Sequence, residues 1–178
     1  MVLSAQAEEP RTLCEAEIAH QAFVLKYRQS RFGVGLISEA DVLKSENALL
    51  LVQHNCQAIG EESYQEKVLV NHARLLEMSE GGFRVGLVAR EDLNATILAG
   101  LDFKWGVVAI STLDYCQEKF KVLVENRKIA RGNVGVGIAM PSAVLEAELA
   151  IQRHREFCSL EGSISLPPVD AAAGDTPY

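Results

Sequence analysis

Long apolar runs are missing from this chain of 178 residues: nowhere do about 20 apolar residues follow one another, the length that spans a bilayer as a helix. Neither is there a series of alternating ten-residue segments of the kind that builds a membrane barrel. Basic clusters are equally scarce, since 17 Lys and Arg are spread singly against 24 Asp and Glu, for a formal net charge of −7. With no basic patch, nucleic acid and anionic membrane surfaces lose their electrostatic footing as partners. Prolines number 5 and aromatic residues make up 6% of the chain, whereas hydrophobic residues reach 48%. That balance excludes a disordered polymer and suits a helical protein with one core.

The chemistry-bearing groups are also few. Four histidines, His20, His54, His72 and His154, fall on unrelated positions, and none stands near a Ser or Cys and an acid as a triad would place them. No Cys-x-x-Cys or paired-His spacing marks a metal site. Gly33-x-Gly35 and Gly135-x-Gly137 follow no strand and precede no Lys-Ser/Thr, so they are not phosphate loops. Carboxylates are scattered on polar faces. The sequence therefore points to no enzyme and no cofactor.

A repeat is what the chain does contain. Phe32-Gly33-Val34-Gly35-Leu36-Ile37-Ser38 returns as Phe83-Arg84-Val85-Gly86-Leu87-Val88-Ala89 and as Val134-Gly135-Val136-Gly137-Ile138-Ala139-Met140. Gly35, Gly86 and Gly137 are each 51 residues apart. A glycine between two long helical patterns supplies the positive φ that ends one helix and reverses the chain, so each copy reads as a hairpin tip. Gly60, Ser111 and Gly162 mark the opposite ends of the hairpins, as residues closing the descending helices. Starts of helices are read at Thr12-Leu13-Cys14-Glu15, Ser63-Tyr64-Gln65-Glu66 and Ser111-Thr112-Leu113-Asp114, and Ser38 with Asp41 opens the second helix.

The expected fold is all-α: about six helices in tandem antiparallel hairpins forming a coiled-coil-like bundle. The ascending helices run roughly 12–32, 63–82 and 114–133 and the descending ones roughly 39–59, 90–110 and 141–161, each about 30 Å long. The descending seam is Val42, Ser45, Leu49, Val52, Cys56, Ile59; Leu93, Thr96, Gly100, Phe103, Val107, Ile110; and Val144, Ala147, Ile151, His154, Cys158. Matching ascending columns are Ile18/Leu69/Phe120, Ala22/Ala73/Val124 and Tyr27/Met78/Ile129. Residues 10–162 then form one domain of three repeats, 10–60, 61–111 and 112–162, between an N-terminal segment 1–9 and a flexible tail 163–178. Ala5-Gln6-Ala7 looks like the cleavage site of a signal peptide whose earlier part is missing, or else belongs to a frayed helix start.

Cys14 and Cys56 lie 21 residues before and after Gly35, and Cys116 and Cys158 flank Gly137 by the same counts. Each pair should share one level near the base of one hairpin. Two readings stand: disulfides Cys14–Cys56 and Cys116–Cys158, formed in an oxidising compartment, or free core cysteines. Two readings also stand for the apolar tip residues, which either plug the end of the bundle or form a docking surface.

Phe83 to Leu93 and Arg31 to Leu43 resemble the hairpin-tip motif of the TolC family of outer-membrane efflux ducts: an aromatic residue, then Val-Gly-Leu or Val-Gly-Thr, a small or hydroxyl residue, and an Asp-Val or Asp-Leu opening the return helix. The third copy, Val136 to Val144, lacks the aromatic and the Asp. The resemblance implies a helical tunnel whose tips meet the hairpin tips of a periplasmic adaptor. By position that role falls on Val34, Gly35, Leu36, Ile37 and Ser38, and on Val85, Gly86, Leu87, Val88 and Ala89, with Val136, Gly137 and Ile138 as the third tip. Barrel strands are missing, and three hairpins stand in immediate tandem. The expected partners are a second copy or an adaptor hairpin, and the expected place is the periplasm or outer membrane if a leader once preceded Met1, otherwise the cytoplasm. A helical scaffold without a transport role is the other expectation.

Overall fold

The computed structural model describes residues 12–162 and 164–169. Ala5-Gln6-Ala7 lies outside them. The described residues form six helices and no strand: α1 Leu13–Gly33, α2 Glu39–Asn55, α3 Glu61–Arg84, α4 Arg90–Gly106, α5 Thr112–Gly135 and α6 Ser142–Gly162. Local sequence accounts for the starts. Thr12 with Glu15, and Ser38 with Asp41, form reciprocal capping boxes, and the Ser111 hydroxyl accepts from the Asp114 amide. Ser63 is not a cap: α3 begins two residues earlier, where Glu61 and Glu62 put negative charge against the positive end of the helix dipole. Pro141 stands just ahead of α6.

Reversal at the tips follows one chemistry in three copies. Gly35, Gly86 and Gly137 have φ of +74°, +75° and +75°. The Leu36, Leu87 and Ile138 amides donate back to the Arg31, Gly82 and Asn133 carbonyls at 2.9, 2.8 and 2.8 Å. This is the six-to-one closure that satisfies carbonyls left over at a helix end, and only a left-handed residue permits it.

The base turns differ from expectation. Gly60 and Ser111 do not close the descending helices; α2 stops at Asn55 and α4 at Gly106, and the left-handed residues are Gln57 (φ +56°) and Val108 (φ +57°), one repeat apart. Ala58 and Ala109 donate to Gln53 and Lys104, both at 2.7 Å, repeating the six-to-one closure without glycine. Gly60 and Ser111 instead precede the next helix. In the third repeat α6 continues to Gly162.

Two compact units are present, Met1–Leu75 and Leu76–Tyr178, with the boundary inside α3. In the first, α1 packs on α2. Among its described residues the buried ones are Ser45, Leu50, Val68, Asn71 and Leu75, with none on α1. In the second, α5 packs on both α4 and α6. A contiguous core of Leu101, Tyr115, Phe120, Leu123, Val124 and Ile151 surrounds the buried Cys116 and Cys158. Trp105 stacks on Tyr115 and meets Phe157 edge-on, with centroids 5.3 and 5.1 Å apart. Every residue of the descending seam is at least half-buried, but the ascending columns are not uniform: Val124 is buried, whereas Ala22, Ala73 and Tyr27 are exposed. The tail is in part packed. Leu166 joins the core, and the Arg155 guanidinium donates to the Leu166 and Pro167 carbonyls.

Between repeats the contacts recur with altered chemistry. Asn71 donates to Asn47 at 2.9 Å, and Asn94 to Asn126 at 2.6 Å, one helical turn nearer the tips than the repeat-equivalent positions 98 and 122. A lone polar pair in an apolar seam fixes register, since any slip leaves both amides unsatisfied. Glu39 pairs with Arg74 and, 51 residues on, Arg90 pairs with Glu125: the same ion pair with its signs exchanged. Both are exposed and worth at most about 1 kcal/mol.

Val108 is 88% exposed, so its side chain contributes no burial to offset a left-handed backbone that costs a β-branched residue about 1–2 kcal/mol. Val108→Gly should raise the free energy of unfolding by about 1 kcal/mol, and Gly86→Val should lower it by about 1–3 kcal/mol. Urea denaturation of the two variants reads both signs. Midpoints equal to the parent's would remove these residues from control of the turns.

Candidate functional site

The three tips are built alike and present the same surface. Val34 and Leu36, Val85 and Leu87, and Val136 and Ile138 are between 63 and 84% exposed, while Ile37 and Val88 fold back and are half-buried. Val88 rests where a Cβ on residue 82 would stand, which is the place of Gly82 in this copy. The apolar residues flanking each glycine are thus exposed in the single chain. Phe32 and Met140 add exposed apolar surface to the first and third tips.

Polar ties hold each tip from below. The Asp41 carboxyl lies below its usual range because it accepts from the Ser38 hydroxyl and amide, at 2.6 and 3.1 Å. At the second tip no side chain caps α4, which begins after Ala89; instead the Arg90 guanidinium lies 4.1 Å over the Phe83 ring. In the second unit the Asn133 amide donates to Glu91 at 3.2 Å, joining the last turn of α5 to the first turn of α4. The second and third tips are therefore neighbours, and Val85, Leu87, Val136, Ile138 and Met140 all lie at that end.

At the base ends the cysteines are paired: Cys14–Cys56 with Cα atoms 5.6 Å apart and Cys116–Cys158 with 5.9 Å. The second hairpin has Gln65 and Val107 at these places. The two bridges sit in different surroundings. Cys14 and Cys56 are half-buried, and His54, two residues before Cys56 in sequence, stacks on Tyr64 and reaches Glu61 at 3.1 Å. Cys116 and Cys158 are wholly enclosed, and His154, also buried, lies against them. Its Nε2 is 3.0 Å from the Cys116 carbonyl, and its pKa is lowered because burial disfavours the imidazolium. Lys119, Asp102 and the Tyr115 hydroxyl form an adjoining polar cluster. Burial disfavours the Lys119 charge, but the bonds to Asp102 and Tyr115 outweigh it and raise its pKa.

Sequence reasoning did not assemble Cys116, His154 and Cys158. The signal was a His four residues before a Cys on one helix, which puts both on one face. His20, His54 and His72 do not join this group. No known protein family, curated protein or solved structure matches the chain.

Each disulfide spans 42 residues and removes about 4 kcal/mol of chain entropy from the unfolded state. Burying one leucine contributes about 1.5–3 kcal/mol. In the first unit, where α1 buries no residue, the Cys14–Cys56 bridge outweighs any single apolar contact. Replacing Cys14 and Cys56 together by serine should cost about 2–4 kcal/mol and open α1 first, seen as lost amide protection over Leu13–Gly33. Protection unchanged there would show that α1 is held without the bridge.

Proposed function

We propose that the chain is a TolC-like helical-hairpin protein, a component or derivative of an efflux or outer-membrane export assembly, and that it associates through its hairpin tips. The observation that carries this reading is the threefold recurrence of one exposed apolar tip on one backbone geometry: Gly35, Gly86 and Gly137 in the left-handed region, flanked each time by solvent-facing Val, Leu or Ile. Apolar side chains held at a rigid apex by a closed turn lose little entropy when covered, and that is what a docking surface requires. The occupant that suits them is another apolar helical tip, that of a second copy or of an adaptor hairpin.

The cysteines support the compartment this reading calls for. Two intramolecular disulfides persist where the environment is oxidising, which favours a place outside the cytoplasm and accords with the efflux reading over an intracellular scaffold. Export itself would need a membrane-spanning part supplied by another chain or segment, because no helix among the described residues is long and apolar enough to cross a membrane.

Leu36→Asp together with Leu87→Asp separates docking from architecture. Both positions are exposed, so the double variant should unfold within about 0.5 kcal/mol of the parent. It should nevertheless lose association in sedimentation velocity and in capture by an adaptor-type hairpin. An unfolded variant would return the tips to the core, and a stable variant that still associates would move the docking surface elsewhere.

A further inference from the structure

The first and third hairpins carry repeat-equivalent disulfides, yet only one has a histidine packed on it. His154 stands 102 residues after Val52, so the Cys14–Cys56 bridge forms with valine in the place where Cys116–Cys158 has imidazole. A histidine is therefore not needed to build such a bridge. Its Nε2 lies 3.5 Å from the Cys158 sulfur and its Nδ1 3.9 Å, and the three donor atoms of Cys116, His154 and Cys158 lie within 4.8 Å of one another. Zinc–sulfur and zinc–nitrogen bonds of about 2.3 and 2.0–2.1 Å place tetrahedral ligands roughly 3.5–3.8 Å apart, a spacing this cluster reaches by rotating the two thiols.

We propose that, when the Cys116–Cys158 bridge is reduced, Cys116, Cys158 and His154 form a zinc-class metal site, so that the base of the third hairpin holds either a disulfide or a thiophilic cation. The chemistry balances with a named reductant. A phosphine gives two electrons to the S–S bond and becomes the phosphine oxide with the oxygen of one water, whose two protons go to the sulfurs to leave two thiols. Zn(II) then displaces both thiol protons to solvent, and two thiolates cancel its charge, which suits an enclosed apolar place. A carbonyl only accepts, so the bond to the Cys116 carbonyl puts the hydrogen on Nε2 and leaves the Nδ1 lone pair for the metal, with that carbonyl orienting the ring. Soft thiolates select against Mg²⁺ and Ca²⁺.

The test uses the full chain, reduced with a phosphine under argon and titrated with Co(II), then Zn(II). One ion per chain should bind, with a thiolate-to-cobalt charge-transfer band that zinc abolishes, and the oxidised chain should give no band. His154→Val should weaken binding more than about 100-fold, beyond the loss typical of an outer partner. Cys14→Ser with Cys56→Ser should keep the band, and Cys116→Ser with Cys158→Ser should lose it. Should reduction cost helix, zinc should restore it in the parent and not in His154→Val, as metal-coupled folding requires. Absence of binding by the reduced parent, or equal binding by His154→Val, would overturn the proposal.

Discussion

A residue in the left-handed region just past a helix end is the constraint on which this structure depends. An α-helix leaves its last carbonyls without partners, and a chain that must turn back at once cannot leave them to a following helical turn. Five reversals solve this in the same way, three at the tips through Gly35, Gly86 and Gly137 and two at the bases through Gln57 and Val108. The tips use glycine, for which positive φ is free of steric cost, and the bases accept a modest strain. The same closure recurs every 51 residues, so successive helices are joined without long loops.

Stability is spread unevenly over that framework. In the second unit, aromatic and aliphatic side chains of α4, α5 and α6 enclose the Cys116–Cys158 bridge, so covalent and apolar terms reinforce one another. In the first, α1 contributes no buried residue, and its bridge to Cys56 stands in for a core it does not have. The asparagine pairs Asn47–Asn71 and Asn94–Asn126 add little net free energy but penalise slippage, and the sign-exchanged pairs Glu39–Arg74 and Arg90–Glu125 occupy one contact twice over with opposite charge order.

What could be read from the residues was whatever glycine, capping and periodicity encode. The three tips, the caps at Thr12, Ser38 and Ser111 and the inward seam of the descending helices all carry such signals, and the repeat multiplied each of them. The base turns were hidden because Gln57 and Val108 are residue types that rarely adopt positive φ, while Gly60 and Ser111 nearby gave the familiar sign of an ending. The packing of Ile164 to Val169 was hidden because a short apolar segment without period carries no local signature and is ordered only by what it meets, here the core and Arg155. The His154 cluster was hidden for a related reason. Two of its three members lie on one helix at a spacing that is common in any seam, and the third comes from 38 residues earlier.

Function in this account rests on the tips facing water in the free chain. Hydroxyl-radical footprinting read by mass spectrometry compares like with like, setting Leu36 and Leu87 at the tips against Leu50 and Leu93 in the interior. In dilute protein the tip leucines should be oxidised readily and the interior ones spared, with the tips becoming protected as concentration rises or an adaptor-type hairpin is added. Tip leucines as protected as Leu50 and Leu93 in the dilute chain would contradict the account and make the tips part of the core.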